Sequence, residues 1–171
     1  MSDPPPPCPA PPPPMPAAPQ FPPSPIRPIL VRGLADALAA AAVADSAGAA
    51  LTLMAPPAGG ALWLLDLIAR VRRAHPGLEV SGLLDCGDRA GEAQGALAAG
   101  VQALLFTGRT EAAGRLAAIA TARGAALLTA CPPLLDLAAE SHGSTRPVLL
   151  EALCRDWLTQ ANGWAESRAE A

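Results

Sequence analysis

Short apolar runs alternate with longer amphipathic segments along most of this chain. Five of the runs have the length and composition of strands buried in a parallel sheet. Glycine or proline breaks separate the runs from segments with helical periodicity. Strands are predicted at 28–32, 49–55, 80–85, 101–106 and 125–130. Helices are predicted at 34–43, 61–74, 89–99, 111–123, 134–140 and 146–162.

The strand–helix order, repeated about five times with short connections, predicts an α/β domain with a parallel sheet and right-handed crossovers. This region is much shorter than the about 250 residues that a closed eight-fold barrel typically needs. Two architectures stay open: half of such a barrel, or a small open sheet, each with a C-terminal helix. We place the domain at 29–162 and a frayed tail at 163–171.

An open half barrel would leave edge strands and an apolar inner face without cover. We therefore expect either a homodimer that completes the sheet or cover by the last helix around Trp157. Helical periodicity also predicts which side chains face inward. They are Leu34, Leu38 and Ala41 or Ala42 in the first helix, Leu62, Leu65, Ile68 and Val71 in the second, and Val148, Leu149, Leu153 and Trp157 in the last.

The first 28 residues hold 15 of the 21 prolines of the chain. Each proline fixes φ and removes a hydrogen-bond donor, so we predict a disordered, polyproline-like tail without helix or sheet. The tail lacks the basic start and apolar core of a secretory signal. It is interpreted as a spacer, as residues before the true start of translation, or as a ligand for a protein partner that binds proline-rich segments.

Charge and composition narrow the classes of function. The net charge is −3, and all 12 basic residues are arginine. A chain with this charge balance lacks the excess of basic residues that nucleic-acid binding needs. The absence of lysine excludes Schiff-base chemistry. The uncharged run 47–65 is broken by prolines and glycines, so no membrane span is predicted. The four cysteines form no closely spaced pair, which favours reduced thiols in the cytoplasm.

Chemically active side chains follow the third and fifth predicted strands. Asp85, Cys86 and Asp88 end the third strand, and Cys131 ends the fifth. Ligands and catalytic groups collect at the carboxyl ends of parallel strands. Asp85 is thus a catalytic candidate, and Cys86, Asp88 and Cys131 are candidate zinc ligands. The alternative is a turn with a helix cap, together with ordinary core thiols.

A second candidate site is the turn after the fourth strand. Thr107, Gly108, Arg109 and Thr110 connect that strand to a helix. A helix N-terminus with an arginine is suited to holding an anion. The alternative is a turn in which Thr110 only caps the helix and Arg109 is solvated.

The stretch around Asp85 resembles the class II, zinc-dependent fructose-bisphosphate aldolases. The similar features are Asp85-Cys86-Gly87 at a strand end, a helix ending in Ala96-Leu97-Ala98-Ala99-Gly100, and the apolar strand at 101–106. Residues 29–132 follow the order of elements in the first half of such a barrel. The resemblance implies a divergent and truncated aldolase-like half barrel.

The resemblance also implies roles for single residues. The catalytic aspartate of the family, which donates and accepts a proton, falls on Asp85. The histidine after it, a zinc ligand, falls on Cys86, and the histidine two positions before it falls on Leu83. The other zinc ligands and the phosphate-binding loops belong to the second half of the barrel, beyond the matching residues.

Three functions are compatible with these patterns. The first is a non-catalytic, degenerate aldolase-like domain that acts as a binding or scaffold module without a cofactor. The second is a metal-dependent aldolase-like lyase that uses Asp85 and Cys86 in a site completed by oligomerisation. The third is a protein that binds a small phosphorylated metabolite through residues 107–110. We favour the first, because the chain offers too few ligands for a zinc site of the family type.

Overall fold

The computed structural model describes residues 26–56 and 58–169, with side chains as far as Gln160. Most of the tail predicted at 1–28 therefore lies outside the described residues, as do 170 and 171. The described strands are β1 (Ile29–Leu30), β2 (Leu51–Ala55), β3 (Val80–Gly87), β4 (Ala103–Phe106), β5 (Ala126–Leu128) and β6 (Leu135–Asp136). The described helices are α1 (Leu34–Ala47), α2 (Gly60–Ala74), α3 (Ala90–Ala99), α4 (Thr110–Ala122), α5 (Leu137–Glu140) and α6 (Pro147–Ala169).

The structure confirms the predicted α/β fold, with an open parallel sheet and a C-terminal helix. The strand order is β5-β4-β3-β2-β1-β6, and all pairs are parallel. Because the right-handed crossovers from β1 to β5 all advance in one direction, their helices lie on one face of the sheet. We call this the helical face and the opposite side the open face. Among the described residues, no helix is long and apolar enough to cross a membrane.

The sixth strand was not predicted. The helix expected at 134–140 is reduced to the single turn α5, because Leu135 pairs with β1 and donates its backbone N–H to Pro28 O at 3.1 Å. The Asp136 side chain accepts the N–H groups of Ala138 and Ala139, both at 3.1 Å. This N-cap fixes the start of the helix at Leu137. β6 thus occupies the sheet edge beside β1.

A short link joins the two edges of the sheet. The six residues 129–134 connect β5 to β6. A flat sheet would hold these strands about 24 Å apart, since neighbouring strands are about 4.8 Å apart. The chain from Leu128 to Leu135 reaches at most about 25 Å even when fully extended. Across a flat sheet this link would be almost fully extended, so the connection favours a curled sheet.

The open face is filled by the chain itself. Its centre consists of Met54, Leu83, Ala103 and Leu105, which are at most 3% exposed. Ile26, just before β1, and Leu134, just before β6, pack against this cluster. The expectation of an uncovered inner face is therefore wrong. Cover by the last helix is also wrong, because α6 packs against α1 on the helical face.

The helices bury only part of the set of side chains predicted to face inward, including Ile68 and Val71 in α2. In α1 the buried residues are mainly alanines, whose small side chains allow α6 to pack closely. Four predicted inward positions are instead exposed: Leu62 by 77%, Val148 by 79%, Leu149 by 39% and Leu34 by 37%. The buried lines are Leu64, Leu67, Ile68 and Val71 in α2, and Leu150, Cys154 and Leu158 in α6.

A contact between the start and the end of the described chain holds α6 in place. The Arg27 guanidinium lies 3.9 Å from the centre of the Trp157 ring. The Trp157 indole N–H also donates a long hydrogen bond of 3.5 Å to Arg27 O. Stacking of this kind stabilises by about 0.5–2 kcal/mol. Because Arg27 precedes β1, the contact places this part of α6 near the amino ends of the strands.

Gly82 offers a direct test of the packing between β3 and α2. A Cβ atom at this position would lie 2.6 Å from Ile68 Cδ1, although a neighbouring cavity of about 60 Å³ gives Ile68 some room to shift. We expect Gly82→Ala to lower the free energy of unfolding by about 1 kcal/mol, the low end for overpacking. Adding Ile68→Val should recover part of this loss, because it removes the clashing atom.

The control for Gly82→Ala is Gly95→Ala in α3, where an added Cβ meets no atom within 4 Å. It should raise the free energy of unfolding by up to about 1 kcal/mol through helix propensity. Urea unfolding measures both changes. Equal midpoints for wild type and Gly82→Ala would refute the close packing of α2 on β3.

Candidate functional site

Strand alternation sends Asp85 and Cys86 to opposite faces of the sheet. Leu83 belongs to the cluster on the open face, whereas Leu84 and Cys86 belong to the core on the helical face. Cys86 is fully buried there, and burial raises the pKa of its thiol to about 11. Asp85, two residues after Leu83, lies on the side of the open face. The acid and the thiol therefore do not meet at one site.

The Asp85 carboxylate takes part in the turn that ends β3. Its Oδ1 accepts the backbone N–H of Gly87 at 2.9 Å. Gly87 has a positive φ of 53° and follows an irregularity in the pairing with β4. Gly87 O then accepts the N–H of Thr107 at 2.8 Å. Asp85, the catalytic candidate, is therefore also part of the turn that was its alternative interpretation. This turn joins the end of β3 to the end of β4 through the Gly87–Thr107 hydrogen bond.

The two predicted loops at this edge touch each other. A Cβ atom on Gly108 would lie 3.1 Å from Asp88 Cα and 2.5 Å from Phe106 Cζ. Only glycine fits this approach without movement of the backbone or the aromatic ring. The loop containing Asp88 and the loop containing Thr107 to Thr110 are thus neighbours, as their positions at adjacent strand ends predict.

The N-terminus of α4 differs from the prediction. The helix begins at Thr110, so Arg109 and not Thr110 occupies the N-cap position, and no side chain caps this end. Thr107, Arg109 and Thr110 are exposed. Among the described residues Arg109 forms no ion pair, whereas Arg89, at the N-cap of α3, is paired with Glu92. The loop therefore presents a cation and two hydroxyl groups to solvent beside open helix N–H groups.

The predicted zinc ligands are spread over different surroundings. Cys131 is exposed in the link after β5, and its Sγ lies 3.5 Å from Pro132 O. Asp88 is exposed at the edge of the sheet, and Cys86 faces the buried core. Within the described residues, no group of three or more histidine, cysteine or acidic side chains is arranged to hold a metal ion. Zinc binding stays a prediction.

An ion pair that the sequence analysis missed joins β1 to β6. Arg32 donates from Nη1 and Nη2 to the two carboxylate oxygens of Asp136, at 2.6 and 2.9 Å. These hydrogen bonds lower the pKa of the Asp136 carboxyl and raise the pKa of Arg32. In the sequence, Arg32 is the charged residue that ends the first predicted strand. Its partner Asp136 could not be identified, because the segment around it was predicted as helix and not as a neighbouring strand.

Arg32 and Asp85 both lie towards the carboxyl-end edge of the sheet. Leu30 pairs with Met54 and Met54 with Leu83, and Arg32 and Asp85 each follow these aligned positions by two residues. The strands β1 and β3 are two spacings, about 10 Å, apart. This edge of the sheet therefore carries an arginine paired with Asp136, an acid engaged in a turn, and the solvent-facing loop 107–110. Such a set can bind a ligand through hydrogen bonds and charge.

Thiol labelling tests the surroundings of the cysteines. Burial raises the pKa of Cys86 to about 11 and that of Cys154 to about 12. At pH 8 we expect Cys131 to react with iodoacetamide at least about a hundredfold faster than either, because the thiolate is the nucleophile. Peptide mass spectrometry of the native protein measures the rates. Comparable labelling of Cys86 and Cys131 would contradict the buried position of Cys86.

The Arg32–Asp136 pair predicts a dependence of stability on pH. The folded state lowers the Asp136 pKa, so the stabilisation is present at neutral pH and is lost as pH falls through that lowered value. Asp136→Asn should lower the free energy of unfolding at pH 7 by about 1 kcal/mol, because the pair is partly exposed. The difference from wild type should shrink below about pH 4.

Asparagine caps helices as well as aspartate does, so Asp136→Asn isolates the ion pair. Asp136→Ala also removes the cap of α5 and should cost about 1 kcal/mol more. Urea unfolding between pH 3 and 7 measures these differences. A constant difference between wild type and Asp136→Asn over this range would show that the pair does not act as described.

The chain is similar to a solved structure. No protein-family model and no curated protein matches it. A crystal structure from Coccidioides immitis, assigned as a fructose-1,6-bisphosphate aldolase, is 20% identical with a TM-score of 0.50. The similarity covers 61% of this chain and 40% of that protein, so the chain spans less than half of its length. At this identity the comparison shows the fold alone, and the chain has an aldolase-like α/β fold.

Proposed function

We propose that this chain is a non-catalytic, aldolase-like domain that acts as a binding module. The observation that supports this proposal is the divergence of Asp85 and Cys86 at the end of β3. An aldolase of the zinc-dependent type needs a proton-transferring acid and a metal ligand in one open site. Here the acid lies towards one face of the sheet, and the thiol lies in the core on the other.

The contacts of the Asp85 carboxylate and of the Cys86 thiol are typical of residues with a structural role. The Asp85 carboxylate accepts the Gly87 N–H and so shapes the turn. The Cys86 thiol is protonated at neutral pH, because burial disfavours the thiolate that binds zinc. Freeing the Cys86 thiol would require opening the core.

The ligand proposed for the module is a small phosphorylated metabolite bound at residues 107–110. Arg109 is the observation in favour, since it is exposed and has no ion-pair partner among the described residues. It stands at the positive end of α4, where open N–H groups favour an anion. Asp88, in the adjoining loop, adds a negative charge that lowers the affinity of this site for anions.

The competing function is a metal-dependent, aldolase-like lyase, and one experiment separates it from the binding module. Purified full-length protein is analysed for zinc by mass spectrometry and assayed for aldol cleavage of fructose-1,6-bisphosphate with added zinc. We expect far less than one zinc per chain and no cleavage above background. About one zinc per chain that is lost in Cys86→Ser, with cleavage lost in Asp85→Asn, would establish the lyase. Asparagine keeps the acceptor for Gly87 N–H, so Asp85→Asn should fold.

A titration with inorganic phosphate, followed by NMR, tests the ligand class. Arg109→Ala should weaken binding at least about tenfold, because a charge-assisted hydrogen bond is lost. The matched control is Arg115→Ala, on the same helix, whose arginine is already paired with Glu111. Equal effects of the two variants would refute a specific role for Arg109.

A further inference from the structure

A small pocket on the helical face lies between α2, β3 and the residues just before β4. Its floor consists of the buried residues Leu64, Ile68, Gly82 and Val101. The volume of the pocket is about 60 Å³. Since one water molecule needs about 10–15 Å³ of such a cavity, the pocket has room for a molecule of about four to six non-hydrogen atoms. The apolar floor favours a short hydrocarbon chain as the buried part of that molecule.

The rim of the pocket is polar. Arg72, Gln102 and the backbone of Gly100 line it, and all three are at least partly exposed. Arg72 Nη2 donates to Val80 O at 2.6 Å, which holds the guanidinium at the start of β3. This bond uses one of the five N–H groups of the guanidinium. The other guanidinium N–H groups and the amide of Gln102 can therefore donate to a ligand that accepts hydrogen bonds.

The sequence of α2 brings apolar side chains and a cation to the same pocket. Leu65, Ile68 and Arg72 are spaced by three and four residues, so they share one face of the helix, and all three line the pocket. The acid of this helix, Asp66, is bound to Arg70 on another face. Among the described residues Arg72 forms no ion pair.

Negative groups near the pocket are directed away from it or offset. Glu79 precedes Val80 and pairs through its carbonyl with β2, so strand alternation directs its side chain away from the helical face. The negative end of α3 lies at Gly100, where Arg123 Nη1 donates to Leu97 O at 3.2 Å and offsets it. The rim consequently favours an anion.

We propose that this pocket binds a small monocarboxylate of about two to four carbons. The carboxylate accepts hydrogen bonds from the Arg72 guanidinium and the Gln102 amide, and the hydrocarbon chain lies against Ile68 and Val101. A carboxylate is favoured over an uncharged group of the same size, because its two oxygens match the planar guanidinium. A chain longer than about four carbons exceeds the volume of the pocket.

The pocket is separate from the loop proposed to bind phosphate. Gln102 precedes β4, whereas residues 107–110 follow it, so the two sites lie at opposite ends of this strand. Arg109→Ala should therefore leave carboxylate binding unchanged, and Arg72→Leu should leave phosphate binding unchanged. Failure of one site is thus distinguishable from failure of the other.

A titration of the full-length protein with sodium propionate at constant ionic strength, followed by NMR, tests the proposal. We expect saturable shifts of the methyl groups of Leu64, Ile68 and Val101. Propanamide, which has the same number of non-hydrogen atoms but no charge, should bind at least about tenfold more weakly. Absence of saturable shifts with propionate, as expected if the pocket holds only water, overturns the proposal. Equal affinity for propanamide also overturns it.

Two variants test the residues of the pocket. Arg72→Leu should raise the dissociation constant for propionate at least about tenfold, because the charge-assisted hydrogen bond is lost. Gly82→Ala should also weaken binding, since its Cβ displaces Ile68 Cδ1 into the pocket. The matched control is Arg73→Leu, at the next position of α2, whose exposed arginine does not line the pocket. Wild-type affinity in the folded Arg72→Leu protein, or an equal loss in Arg73→Leu, overturns the proposal.

Discussion

The pairing of β6 with β1 is the constraint on which the rest of the structure depends. The link from β5 to β6 would be almost fully extended across a flat sheet, so this pairing favours a curled sheet. Ile26 and Leu134, which precede β1 and β6, pack against the apolar cluster on the open face. The Arg32–Asp136 ion pair holds the same two strands together at their carboxyl ends. One edge pairing thereby positions the residues that cover the open face.

The sequence predicted much of the fold because the strands are buried apolar runs and the breaks are glycines and prolines. It did not predict β6, which has two residues and forms only through its partner β1. The faces of α1, α2 and α6 were misassigned near their starts, because periodicity cannot distinguish a buried leucine from one left at the end of a helix. Both errors concern tertiary contacts that no local pattern encodes.

At the candidate site, too, the sequence predicted local features but not contacts between residues that are far apart in the chain. The turns at Asp85 and at Gly108 were visible in the sequence, since turn residues act locally. The opposite directions of Asp85 and Cys86 follow from strand alternation, but only once β3 is known to continue through Gly87. Asp136 reaches Arg32 from 104 positions away in the chain. The sequence therefore indicated that polar residues collect at the carboxyl-end edge of the sheet, but not which of their side chains contact each other.

The contact between Arg27 and Trp157 distinguishes the two ends of the domain. It lies where the chain enters the sheet, at the amino ends of the strands. The loop 107–110 and the first turns of α1, α2 and α6 all lie at the other end. The entry of the described chain at Ile26 and the candidate ligand loop therefore lie at opposite ends of the strands. A small ligand bound at residues 107–110 would consequently not touch the Arg27–Trp157 contact.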